Sequence, residues 1–139
     1  MRLVGIRGFP AAYCCVLVAV MVLSACTTVR PRYPDGRLVT MTRAEFAAYT
    51  ERVFRYHNRV VNELILSVGL ADGGPLDSSD PLVRAETEMA ARCQPLNEAV
   101  AATIEGRTLG FFHKLQMLNA VPACEVATDS VIALLEPVQ

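Results

Sequence analysis

Five cysteines hold most of the reactive chemistry in this 139-residue chain, and their surroundings sort them into three kinds. Cys14 and Cys15 lie inside "AAYCCVLVAVMVLSA", Ala11 to Ala25, a run without one charge. Cys26 follows that run at once, behind "LSA". Cys93 and Cys124 form an even pair in the body of the chain, the arithmetic of one disulfide in an oxidising compartment. Metal chemistry has little to work with. Only His57 and His113 could join the thiols, and no CxxC or HxxxH spacing occurs.

Catalytic patterns are equally sparse. No GxSxG, HExxH or phosphate-loop motif is present, and two histidines reach a triad only by tertiary placement. Glu86 with Glu88, or Glu98 with Glu105, are the available acid pairs, but glutamates on a solvated helix face are common. His57 and His113 each have an aromatic or basic neighbour and read as surface or boundary residues. The chain is therefore expected to be no enzyme and to need no cofactor or metal.

Charge is unevenly placed. Between Arg30 and Arg59 seven arginines face three acids, a local +4, whereas from Val60 onward four basic residues face eleven acidic ones, a local −7. Arg52, Arg55 and Arg59 recur at spacings of 3 and 4, with Asn62 continuing the line, and so form a basic ridge opposite the helix's apolar stripe. Two readings stay open. The ridge either meets anionic head groups or an acidic partner, at ~1 kcal/mol per cation near such a surface, or it is a solvated face with Glu51 and Arg55 paired at i,i+4 and an acidic second helix nearby. The solvated face is the commoner of the two.

The elements that position these residues follow from punctuation and period. "TTVRPRYPDGRLVTM", Thr27 to Met41, has Pro31, Pro34 and Gly36, a "PDG" turn signal and no helical period; it reads as a flexible tether reaching at most about 50 Å. "TRAE" from Thr42 to Glu45 is a capping box. Beyond it Phe46, Tyr49, Val53, Tyr56, Val60, Leu64 and Val68 make one face of a long helix that ends near Gly69. "ADGGPLDSSD", Ala71 to Asp80, is a loop, and Asp80 with Pro81 supplies the next N-cap and N1. The second helix places Leu82, Ala85, Met89, Cys93, Leu96, Val100 and Thr103 on one stripe, with a kink expected at Pro95. "EGRTLG" from Glu105 reads as a turn, followed by a short apolar helix ending near Asn119. A last helix is expected to start at Pro122, with Cys124, Ala127, Val131 and Leu134 or Leu135 inward. No segment alternates convincingly at period 2. The expected fold is all-α, a small bundle of three or four helices over residues 42–139.

The cysteine pair fits that bundle. The turn at 105–110 lies midway between Cys93 and Cys124, so an antiparallel hairpin brings them level, both on apolar stripes. With helix axes ~8–10 Å apart and Cα atoms at a radius of ~2.3 Å, facing Cα atoms would stand about 4–5.5 Å apart, inside the disulfide window. Closing that loop is worth roughly 3–4 kcal/mol in the chain-entropy model.

Before the tether, Arg2 and Arg7 precede the uncharged run, the order of a signal peptide's n- and h-regions. Fifteen helical residues rise about 22 Å, short of the ~30 Å hydrocarbon core, so a permanent span is the weaker alternative. "LSAC", Leu23 to Cys26, resembles the lipobox of bacterial lipoprotein precursors. That resemblance covers the first 26 residues. It implies that residues 1–25 are removed, that Cys26 is acylated, and that two or three chains anchor the protein where one would hold only marginally. In that class an aspartate after the cysteine favours the inner membrane; Thr27 stands there, which implies the periplasmic face of an outer membrane, or the inner or cell membrane if the organism has no outer one. The mature chain would have 114 residues and a formal charge of −3, enough for one domain. Nucleic acid is not an expected partner of an exported chain with a pI near 6.1.

Two functions follow as expectations. The first is an envelope lipoprotein whose helical domain binds another envelope protein, by helix-in-groove recognition for example; in architecture alone it is similar to the pilotins that escort secretion channel subunits to the outer membrane. The second is a periplasmic binder of a small apolar or lipid ligand, with Phe111, Phe112, Phe54 and Met117 lining a cavity.

Overall fold

A computed structural model describes residues 28–70 and 79–135. The signal-like segment, Cys26 and most of the Ala71–Asp80 loop lie outside the described residues. Two short strands, β1 (Thr28–Val29) and β2 (Met41–Thr42), precede three helices, α1 (Arg43–Leu70), α2 (Pro81–Ile104) and α3 (Phe111–Leu135). The fold is a small all-α bundle.

α1 opens on the capping box. The Thr42 N–H donates to Glu45 Oε2 at 2.7 Å and the Glu45 N–H to Thr42 Oγ1 at 3.2 Å, satisfying two donors that a helix start leaves without partners. The Thr42 N–H, with its hydroxyl adding to the effect, holds the Glu45 carboxyl below its usual range. The buried face of α1 is Tyr49, Val53, His57, Val60 and Leu64. Here the structure corrects one expectation: His57 takes the central buried place and Tyr56 lies half-buried beside it. Positions 53, 56, 60 and 53, 57, 60 fit a helical stripe equally, and apolarity alone favours the wrong one.

α2 starts as its sequence directs. Asp80 Oδ1 accepts the Leu82 N–H at 2.8 Å, with Pro81 in the first turn. Met89, Cys93 and Leu96 are buried as expected, but the face then drifts to Ala99 and Ala102, leaving Thr103 exposed with its hydroxyl on the Ala99 carbonyl at 2.9 Å. α2 carries Pro95 in its interior and continues past it to Ile104. At its end Gly106 takes φ +71°. The Arg107 N–H returns to the Ala102 carbonyl at 2.8 Å and the Gly106 N–H to Thr103 at 3.1 Å, a Schellman ending that only a residue without Cβ adopts cheaply.

The expected break at Pro122 is absent, because α3 is one helix with Pro122 inside it. The bundle therefore has three helices among the described residues. A proline inside a helix orphans the carbonyl four residues earlier, here that of Leu118. That carbonyl accepts the Arg32 N–H at 3.1 Å, so another segment supplies the missing donor.

That segment is the stretch expected to be a tether, and it departs furthest from expectation. Thr28 pairs with Thr42 and Val29 with Met41, and Arg32 bridges Leu38. The Gly36 N–H bonds the Tyr33 carbonyl at 2.9 Å and the Tyr33 N–H the Arg37 carbonyl at 2.9 Å. Gly36 has φ +85°. Pro34 and Asp35 thus sit at the centre of a type I turn closed by a left-handed glycine, a three-residue hairpin loop. Pro31 is fully buried, so the hairpin is docked on the bundle, and only Thr27 separates it from Cys26.

α3 is long and apolar enough to cross a membrane by length and composition, but here that character serves two interfaces, the larger with α2 and the smaller with α1. α2 and α3 are antiparallel across the 105–110 turn. α1 runs in the same sense as α3: Tyr49 donates to Glu125 at 2.6 Å, and Tyr56, further along, to Asp129 at 2.9 Å. The core is Tyr49, Val53, Val60, Leu64, Met89, Leu96, Val121 and Val131 around the two cysteines.

Candidate functional site

The basic ridge of α1 borders an open groove of about 530 Å³ between α1 and α3. Arg52, Arg55 and Arg59 line it together with Ala48, Glu51, Val53 and Tyr56 of the same helix and, from α3, Glu125. The ridge thus flanks the apolar stripe instead of opposing it. Its acidic neighbours are Glu51 on α1 itself and Glu125 on the third helix, not the second helix.

Each member has a distinct state. Arg55 is paired with Glu51 on the next turn, as i,i+4 spacing predicts. Arg52 lies over the Tyr49 ring, 5.2 Å from its centroid, so its cation is held against the groove by an aromatic face. The Arg59 side chain has no hydrogen bond or ion pair among the described residues. Burial first, and the hydrogen bond to Glu125 second, push the Tyr49 hydroxyl far above its ordinary value, so it stays a donor. The Tyr49–Glu125 and Tyr56–Asp129 bonds fix the two helices that form the groove. Chemically the groove offers guanidinium donors beside a tyrosine and an apolar strip, a surface suited to carboxylates on an amphipathic segment.

Cys93 and Cys124 are joined at the centre of the α2–α3 interface, with Cα atoms 4.6 Å apart and neither side chain exposed. His57 packs against them, the three ligand-type atoms lying within 4.8 Å of one another. Both sulfurs are occupied by their own bond, and a disulfide offers no thiolate to a metal. The His57 Nδ1 is buried without a hydrogen-bond partner among the described residues. Burial lowers its pKa, which keeps the imidazole neutral.

The remaining candidates are not gathered into one site. Glu88 pairs with Arg92 and Glu105 with Arg107, while Glu98 accepts from Gln94 and lies 3.9 Å from His113. The aromatic set expected around a ligand is also dispersed. Met117 is buried and Phe54 half-buried, but Phe111 and Phe112 are 73% and 83% exposed. The tyrosine–carboxylate pairs across α1 and α3 carry no sequence signal, since each joins residues more than 70 positions apart. No protein-family model matches the chain, and neither a curated protein nor a solved structure matches it significantly.

Proposed function

We propose that the chain is a lipid-anchored envelope protein, held through acylated Cys26 on the periplasmic face of an outer membrane, whose bundle binds an acidic segment of another envelope protein in the arginine groove. The observation that carries the binding role is Arg59, exposed and with no side-chain partner among the described residues, at the rim of a groove whose other cations are already positioned. The Cys93–Cys124 bond and the buried core supply a rigid frame for it, and nothing in the proposal requires catalysis, a cofactor or nucleic acid. The lipobox-like "LSAC" supports the anchor.

A photo-reactive residue in place of exposed Asn62, which continues the ridge, tests this in intact cells, with exposed Ala90 on α2 as control site. One envelope protein is expected to cross-link from position 62 and not from 90. The triple variant Arg52→Glu, Arg55→Glu, Arg59→Glu is expected to lose that adduct while melting near the wild-type temperature. High salt is expected to weaken it too, since exposed charges are screened beyond ~8 Å at physiological ionic strength. A triple variant that cross-links normally but melts far lower would show that the ridge serves internal pairing.

A further inference from the structure

The α2–α3 turn ends in an exposed apolar tip that the groove does not use. Ile104 is 81% exposed, Phe111 73%, Phe112 83% and Leu115 52%. The two phenylalanine rings stack edge-on at 5.8 Å, and Leu115 follows them at i+4 and i+3, on the same face of α3. The bundle is capable of burying large side chains, as Met89 and Leu96 show. Phe111, Phe112 and Leu115 on the first turns of α3, with Ile104 at the end of α2 seven residues before them, are left in solvent as an unpartnered apolar end.

The position of the tip says what it meets. Tyr49 on α1 stands level with Glu125 on α3. Seven residues back along each helix, about 10 Å, are Thr42 and Leu118. Thr28 pairs with Thr42, and Arg32 bonds Leu118. The chain therefore enters the fold at the Leu118 level. Phe111 lies another seven residues, about 10 Å, beyond it toward the same end. Cys26 is two residues from Thr28, a reach of at most ~7 Å. A lipid on Cys26 would thus hold this end against the bilayer and bring the tip to the depth, roughly 5–10 Å, at which apolar helix faces sit in the interface. Charge agrees. Arg30, Arg43 and Lys114 stand at this end, exposed and without ion-pair partners among the described residues, against an exposed Glu45 and a Glu105 that Arg107 already pairs, a net positive rim that suits anionic head groups.

We propose that Ile104, Phe111, Phe112 and Leu115 insert into the interface of the anionic bilayer that carries the anchor, as a second contact that fixes the bundle upright with its arginine groove facing away from the acyl chains. Its orientation rests on the proposed Cys26 anchor. The chain contains no tryptophan, so Phe112→Trp gives a single reporter at an exposed site. Leu66→Trp, 66% exposed and about 36 Å along α1 from Thr42, is the control.

Each full-length protein, purified from membranes in detergent, is reconstituted into vesicles of phosphatidylethanolamine and phosphatidylglycerol in excess, with or without bromine on the acyl chains. Its lipidation is read separately from its intact mass. In Phe112→Trp the emission is expected to shift to the blue, to be largely lost with brominated chains and to resist acrylamide; in Leu66→Trp it is expected to stay red, unquenched by bromine and open to acrylamide. A lipidated Phe112→Trp protein as open to acrylamide as the control overturns the tip and leaves the anchor. An unlipidated protein quenched by bromine removes the anchor and supports the tip. A blue shift without lipid that grows with protein concentration would assign the tip to a second copy. One that needs an added envelope protein and ignores bromine would assign it to that protein, and either result overturns the proposal.

Discussion

His57 shows how one side chain can bias stability at the centre of a frame. Its imidazole is buried beside the disulfide with Nδ1 unsatisfied among the described residues, and burial lowers its pKa below the ordinary value of about 6.5. In the window below that value the unfolded chain takes up a proton that the folded chain refuses, so stability is full above it and falls as pH drops toward the folded pKa. The wild-type melting temperature is expected to fall between pH 7.5 and pH 5.5, and His57→Leu to flatten that part of the profile and raise stability by about 1 kcal/mol, since an orphaned polar atom is removed. A His57→Leu profile that falls as steeply as the wild type would assign the acid sensitivity to other groups. Sequence reasoning left His57 at the surface or boundary because histidine weighs as polar in any periodic count. The arginine ridge and the cysteine pair were legible, since spacing alone places three cations on one line and brings Cys93 level with Cys124. Which flank the ridge occupies was not, because it depends on how α1 is rotated against α3.

Among the elements, two helices announced themselves through caps, since Thr42 with Glu45 and Asp80 with Pro81 act as their types predict, whereas Gly106, legible only as part of a turn, proves to close α2. Prolines misled in both directions. Pro122 looked like a start and is an interior residue whose orphaned Leu118 carbonyl is met by Arg32; that compensation comes from 86 residues away and leaves no local trace. Pro31 and Pro34 looked like spacers, but they frame a hairpin turn whose left-handed residue is Gly36. The docked hairpin predicts slow amide exchange at Arg32, Tyr33 and Val39, each of which donates to a backbone carbonyl. Gly36→Ala, forced to φ +85°, is expected to cost about 1 kcal/mol and to speed exchange at these amides while those of α2 change little. Exchange at random-coil rates in the wild type would return this stretch to a free tether.

Across the whole molecule the charge asymmetry now has a geometry. The basic N-terminal part supplies both the hairpin end of the bundle and the groove wall on α1, and the acidic remainder contributes Glu125 and Asp129, which lock α1 to α3 through two tyrosines. With the hairpin folded, little slack remains between Cys26 and the domain, so an anchored bundle would stand at the bilayer and not 50 Å from it. Everything in that arrangement depends on Cys26 carrying a lipid. The most direct test is the intact mass of the protein extracted from its native membranes. The expected species begins at a glyceryl-modified Cys26 that carries two or three acyl chains, with residues 1–25 removed, and Cys26→Ser alone is expected to abolish membrane fractionation. A membrane-extracted protein that retains residues 1–25 and an unmodified Cys26 would contradict the account.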